Sequence, residues 1–205
     1  IKSMKSLSEI DLTVKRASKS MGFSWGISEE IGKNIRLLEM FGLSGLKNLN
    51  HYFKVYKDKK FQNISLISKS NFSKIPYCPI IAGVNFLDQV SILEELEQME
   101  FKNIAYPILF IPFLSRSSEI IGKKILLKID RMEILLNLNQ SIFSNYLNED
   151  IIEIGDKIQI TFLENKNTFN EKDWSELYKL SEETFVKETE ELKQKAAGAG
   201  LTDND

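Results

Sequence analysis

Apolar and polar residues alternate with two different periods along this chain, and the change of period divides it. Over residues 7–56 the apolar positions recur every three or four residues. Ile10, Val14, Ala17 and Met21 mark one helical face, with Lys15, Arg16 and Lys19 on the other. Ser8 and Asp11 approximate a capping box and Leu7 and Leu12 flank it as a staple, which places the helix start at Ser8. Gly22 falls where a left-handed C-terminal cap is needed, a conformation that glycine adopts without steric cost. A second helix is expected from Ser24 or Ser28, with Ile27, Ile31, Ile35 and Leu38 as its core stripe, Leu37 and Phe41 widening it, and Gly42 and Gly45 ending it. So short a connection folds the two helices back on each other. Leu46, Leu49, Phe53 and Tyr56 continue the period into a third helix.

Beyond residue 57 the period changes. Lys57-Asp58-Lys59-Lys60 reads as a solvated break, and residues 61–73 as loop with room for an edge strand. Residues 77–83, YCPIIAG, read as extended, because a residue before proline is pushed away from helical angles. Residues 88–100 are acidic and read as a connection or short helix. The run YPILFIPFL at 106–114 has strand length and no polar face, so it is expected to be buried on both sides, with its prolines placing it at an edge or bulge. Strand alternation follows. Residues 125–129 and 132–138 flank a turn at Asp130-Arg131, and residues 151–154 and 158–162 flank a second at Gly155-Asp156. Ile158, Ile160 and Phe162 face in, Gln159 and Thr161 out. A last helix is expected from an N-cap at Asp173 through Lys195, packing Trp174, Leu177, Leu180 and Thr184.

Helices, then strands, then one helix segregate as α+β rather than alternating βαβ units. The expected architecture is an N-terminal helical hairpin plus third helix, a mainly antiparallel sheet and a closing C-terminal helix. It is read as a single domain over 1–205, with a helical part at 1–60, a mainly β part at 61–165, and the C-terminal helix and tail at 166–205.

Composition narrows the chemistry. A hydrophobic fraction of 42% beside 27% charged residues is that of an ordinary globular protein, long enough at 205 residues to bury a core. A net charge of −2 gives no electrostatic case for a nucleic-acid partner. No apolar run reaches the ~18 residues of a membrane span, and the N-terminus lacks a signal-peptide core, so a cytoplasmic location without a membrane partner is expected. Cys78 and His51 each stand alone in their residue type, so neither a disulfide within the chain nor a thiolate–imidazole metal cage is expected, and no cofactor.

Trp25 is read as a hydrophobic plug at the elbow or a stacking platform at a pocket mouth. Glu29 and Glu30 are dipole partners in or near a first helical turn, or a general acid/base or a metal carboxylate. Cys78 is an inert buried thiol or a reactive one, while His51 reads as exposed. Arg116, in LSRSSE after the apolar run, is part of a polar loop or an anion site in which hydroxyls, N–H groups and a guanidinium meet. In the tail, AGAG leads to Asp203 and Asp205, a frayed end or a charged tether that docks.

The elbow segment MGFSWGISEE, the segment YCPIIAG and the tail AGAGLTDND together resemble an uncharacterised bacterial family known as a domain of unknown function (family 3726). The resemblance implies no activity and no catalytic residue. The function expected is therefore that of an accessory or interaction protein in small-molecule metabolism, with a protein partner or second copy and a small anionic ligand. The alternative is a cofactor-free enzyme acting on a small anionic or amide-type metabolite through carboxylates and Arg116.

Overall fold

The computed structural model describes residues 4–145 and 151–184, which fall into two units, one running through Asn165 and one beginning at Lys166. In the first unit three helices come first: α1 (Leu7–Ser20), α2 (Trp25–Met40) and α3 (Gly45–Tyr56). Ser6, not Ser8, caps α1. Its hydroxyl accepts from the Glu9 N–H while the Glu9 carboxylate accepts from the Ser6 N–H, a reciprocal box two residues earlier than the sequence suggested. Ile10 and Val14 are buried as expected, but the third position of the stripe is Ser18 rather than the exposed Ala17. Ser18 satisfies its hydroxyl within the helix by donating to the Val14 carbonyl at 2.8 Å. Gly22 has φ +98°, and Ser24 caps α2 through the Ile27 N–H. Ile31, Ile35 and Leu38 form the buried stripe of α2.

The sheet has six strands in the order β1 (Ser70–Tyr77), β2 (Gln98–Ala105), β6 (Ile154–Leu163), β3 (Lys124–Ile129), β4 (Met132–Asn137) and β5 (Ser141–Ser144). β1 and β2 run parallel and the other neighbours antiparallel, so the sheet is mainly antiparallel within an α+β fold. The hairpin around Asp130-Arg131 joins β3 to β4, and Asp130 takes φ +52°. Rows of side chains cross the strands in register. Met99, Ile160, Leu127 and Ile134 lie side by side on the buried face. On the other face Glu100, Gln159, Lys128 and Glu133 form the matching polar row.

Four expectations for the chain beyond β1 fail. Residues 79–83 are not extended: Cys78 is the N-cap of α4 (Pro79–Leu93), with proline at the first helical position, where its missing N–H costs nothing. Residues 88–100 are neither a loop nor a separate helix, since they complete α4, make one 3-10 turn (Glu94–Leu96) and begin β2. The run at 106–114 is not a strand. It forms a 3-10 turn (Pro107–Leu109) and enters α5 (Ile111–Ile121), with Pro112 in the first turn of the helix. The proposed turn at Gly155-Asp156 lies inside β6, whose ten residues pair with β2 on one side and β3 on the other.

Helices α4 and α5 pack on each other and cover the apolar sheet face, where Phe86 of α4 meets Phe162 of β6 at 6.3 Å between ring centroids. Helix α2 packs in turn on α4 and α5. Gly83 makes the α4–α5 contact close, because a Cβ there would sit 2.0 Å from the Phe113 ring.

The second unit contains α6 (Glu171–Glu182), capped by Asn170 rather than Asp173. Asp173 instead completes the box as its third residue. The stripe expected to pack is exposed: Trp174, Leu177, Leu180 and Thr184 are all on the surface. Trp174 stacks on Phe169 at 5.7 Å. The tail with Asp203 and Asp205, and the helix expected beyond residue 184, lie outside the described residues.

Candidate functional site

Parallel strands end side by side, and the crevice beyond their carboxyl ends is where open α/β sheets place ligands. Here β1 and β2 end together at Tyr77 and Ala105, and β6 starts beside them, with Ala105 opposite Ile154. A cleft of about 350 Å³ opens at this edge, lined by Lys59, Lys60, Lys74, Phe61, Pro76 and Tyr106 together with Ile75, Ala105, Glu153 and Ile154. Lys59 approaches Glu153 at 3.9 Å, while Lys60 and Lys74 form no ion pair among the described residues.

Tyr106 is the pivot of this cleft. It carries the chain from β2 into the 3-10 turn in a left-handed conformation, φ 45° and ψ 60°, which costs a residue with a Cβ about 1–2 kcal/mol. Its N–H donates to the Glu153 carbonyl at 2.9 Å and its ring is buried. Its hydroxyl lies 2.7 Å from His51 Nδ1 on α3. One turn of chemistry further in, the Tyr52 hydroxyl lies 3.0 Å from Cys78 Sγ, and Tyr56 and Phe61 pack around Tyr52. Burial pushes the Tyr106, Tyr52 and Cys78 groups all upward, with Glu153 adding to the effect at Tyr106 and Tyr52 partly offsetting it at Cys78. Each therefore keeps its proton at neutral pH, and Cys78, 2% exposed, is a buried thiol rather than a nucleophile on the surface.

The residues singled out from the sequence fall in two places, and Cys78 stands apart from the others. Trp25 is 55% exposed and does not plug the elbow; Phe23, 5% exposed, does. The Trp25 ring is approached by its neighbours' cations, Lys15 at 5.8 Å and Lys19 at 5.4 Å. Glu29 pairs with Lys15 in a short contact, and the hydrogen bond and charge of that lysine hold its carboxyl below the ordinary range. Arg116 sits inside α5, not in a loop, and donates Nη1 to Glu30 in a short contact and to Asn34 Oδ1 at 3.2 Å. Burial pushes the Glu30 carboxyl up, but Arg116 and then Lys33 outweigh it, so the group lies below its usual range.

His51, Tyr106 and the three lysines were missed as site residues. His51 is half-buried and bonded rather than exposed, and Lys59 and Lys60 belong to the charge run read as a solvated break. Tyr106-Pro107 was the available signal, a dipeptide restricted in conformation at the edge of an apolar run.

Residues 5–78 match the model of a family described as a protein of unknown function (DUF3726). The matched segment lies wholly within the first half of the chain. It spans α1 to the N-cap of α4, and so contributes His51, Tyr52, Cys78, Lys59, Lys60, Phe61, Lys74 and Pro76 to the cleft and its surround. The elbow motif lies within it, whereas most of YCPIIAG and the whole tail lie beyond it. No curated protein and no solved structure matches the chain. Among the described residues no three His, Cys, Asp or Glu side chains converge as metal ligands, and no helix is long and apolar enough to cross a membrane.

Proposed function

We propose that this protein acts by binding a small organic anion in the crevice at the carboxyl ends of β1 and β2, as an accessory or interaction subunit in small-molecule metabolism. The lining of the cleft carries this reading. Phe61, Pro76 and Tyr106 offer an apolar wall, Lys59, Lys60 and Lys74 supply cations, and Glu153 is the one carboxylate among them. A carboxylate on an apolar body gains about 25 cal/mol per Å² of hydrocarbon removed from water while ammonium groups take its charge. A neutral molecule of the same shape keeps only the first gain. The Tyr106 backbone, held at φ 45°, fits a site whose geometry is bought at some cost in strain.

Titration calorimetry with benzoate and with benzamide separates these contributions. Saturable binding of benzoate, at least about fivefold weaker binding of benzamide, and a similar loss in Lys60→Gln or Lys74→Gln are expected. Equal responses to the two probes, or benzoate affinity indifferent to both lysines, would sink the proposal.

A second reading, an enzyme acting without a tightly bound cofactor on a small anionic or amide-type metabolite, is favoured by the 2.7 Å contact between His51 and Tyr106. An imidazole on a phenol can pass a proton to a ligand held beside it. Tyr106→Phe then abolishes turnover while leaving benzoate binding in place. Either reading goes with a bacterial cytoplasmic setting and a protein partner or second copy. A net charge of −2 supports the absence of nucleic acid.

A further inference from the structure

A second concavity, independent of the crevice, lies where α2, α5 and the β4–β5 turn meet. It measures about 260 Å³ and is lined by Lys33, Arg36, Leu37, Met40, Arg116 and Asn139. We infer that this cleft binds the phosphate group of a small phosphomonoester, with Arg36, Lys33 and Arg116 on the phosphoryl oxygens and Leu37 and Met40 against its apolar part.

Three observations converge on it. Arg36 is exposed and makes no ion pair or hydrogen bond among the described residues, so its guanidinium is available. Arg116 spends Nη1 on Glu30 and Asn34, which fixes the guanidinium plane; its Nη2 and Nε N–H groups have no acceptor among the described residues. Asn34 Nδ2, on a residue 2% exposed beneath this pair, is also without a partner. A buried donor left unpaired beside an under-used arginine marks a polar network open on its acceptor side.

The turn that completes the cleft is held in place. Leu138 and Asn139 have φ +50° and +58°, a conformation that is unfavourable for leucine. Their positions are fixed from α5: Ser118 Oγ accepts from the Leu138 N–H at 3.0 Å, and Ser115 Oγ donates to Asn139 Oδ1 at 2.9 Å. Asn139 Nδ2 donates to Glu119 at 3.1 Å. Strain that the surroundings maintain at a cleft is the pattern of a preorganised binding site.

Charge and shape choose the ligand. Three cations line the cleft, and of the carboxylates nearby Glu30 is already engaged by Arg116 and Lys33, and Glu119 by Asn139. A carboxylate would be satisfied by a single arginine fork, whereas a phosphate presents oxygens in three directions and a second charge. The donors here come from two helices and therefore from different directions.

The test uses the intact protein with inorganic phosphate and with phenyl phosphate, followed by phosphorus NMR or calorimetry at fixed ionic strength set with chloride. Phenyl phosphate should bind with a dissociation constant below about 1 mM, and more tightly than inorganic phosphate because of Leu37 and Met40. Arg36→Gln, a surface change, should weaken both at least about tenfold. Arg116→Lys keeps the charge and the Glu30 pair but loses the fork, and should weaken them as well. Lys74→Gln, in the crevice, should change neither, which separates failure here from failure there. Effects matched by chloride alone, or binding unchanged in Arg36→Gln and Arg116→Lys, would overturn the assignment. If inorganic phosphate and phenyl phosphate bound equally well, the apolar part of the assignment would be wrong.

Discussion

Two helix pairs in this molecule come together through one glycine each, and they do so for different reasons. At the α1–α2 pair a Cβ on Gly32 would lie 2.5 Å from Asp11 Oδ1 and 2.9 Å from the Asp11 carbonyl oxygen. At the α4–α5 pair a Cβ on Gly83 would lie 2.0 Å from the ring of Phe113, itself fully buried. The first contact is bordered by solvent and by charged side chains such as Lys15 and Glu29. The second lies inside the core, near the edge-on pair Phe86–Phe110 at 5.9 Å. A glycine that admits a neighbour with somewhere to go is a convenience, and one that admits a neighbour packed on all sides is a requirement.

Substitution by alanine exposes the difference, because the two sites share one favourable contribution. Alanine in a helix interior is about 1 kcal/mol better than glycine by intrinsic propensity. At Gly83 the methyl must displace a buried ring, and overpacking of this kind costs about 1–3 kcal/mol, toward the upper end for so deep an overlap. The net expectation is a loss of about 2 kcal/mol in urea unfolding. The loss should shrink when Gly83→Ala is combined with Phe113→Leu, as coupled neighbours require. Additive effects of the two substitutions would show that the ring is not what the methyl meets.

Glu30 joins the two regions, since it extends from α2 to Arg116 on α5. The Glu30 and Arg116 side chains are 23% and 25% exposed, which puts the pair between surface bridges worth at most about 1 kcal/mol and buried ones whose breaking costs about 3–5. Glu30→Gln should therefore cost about 1–2 kcal/mol at neutral pH. The sign of the pH dependence follows from the lowered carboxyl. A group whose folded pKa is depressed stabilises above its unfolded value, near pH 4.3, and that stabilisation is lost as pH falls through the folded value. The gap between parent and variant should be full at pH 7 and close below about pH 4. A gap independent of pH would mean that packing, not charge, is at work.

The same contrast explains which parts of the fold were legible in the sequence. Helices α1 to α3 each bury one stripe and wet the other, so Ile31, Ile35 and Leu38 announce a helix by spacing alone. Helices α4 and α5 are covered on several sides, and a run such as Ile108 to Leu114 has no polar face to reveal its period. A continuous apolar run of that length is equally consistent with a strand, and the prolines, read as strand breakers, were helix starters. Strand β6 misled in the opposite way, because Gly155-Asp156 has turn chemistry but sits in a regular ladder. The site was harder still. Lys59 and Lys60 lie between α3 and β1 and Lys74 within β1, and they meet Tyr106 through the parallel pairing of β1 with β2, which no local pattern encodes. Arg116 was noticed, but its partners Glu30 and Asn34 are more than eighty residues away.

At Gly32 the balance is closer than at Gly83. The Asp11 carboxylate can swing away at little cost, but the carbonyl oxygen belongs to α1 and must shift by a few tenths of an ångström. Set against about 1 kcal/mol of propensity gained, Gly32→Ala should come out destabilised by less than about 1 kcal/mol. A loss as large as that of Gly83→Ala would place the α1–α2 contact on the same footing as the core.

The smallest effect is expected at Trp25. An aromatic residue at a glycine-rich elbow invites the reading of a plug, and a plug removed from a core costs about 3–5 kcal/mol. Trp25, however, is 55% exposed, and the ring that fills the elbow is Phe23. What Trp25 holds is the attraction of Lys15 and Lys19 across α1, worth about 0.5–1 kcal/mol at an exposed site. That attraction goes with the ring, but Lys15 keeps its ion pair with Glu29, so its charge is still satisfied in the variant. Trp25→Ala should accordingly cost no more than about 0.5 kcal/mol in urea unfolding, and raising the salt concentration should shrink the loss further. Phe23→Ala, measured beside it, should lose several times as much. If the two losses were equal, or if Trp25→Ala cost above about 2 kcal/mol, the indole would be buried in solution and the elbow would close on Trp25.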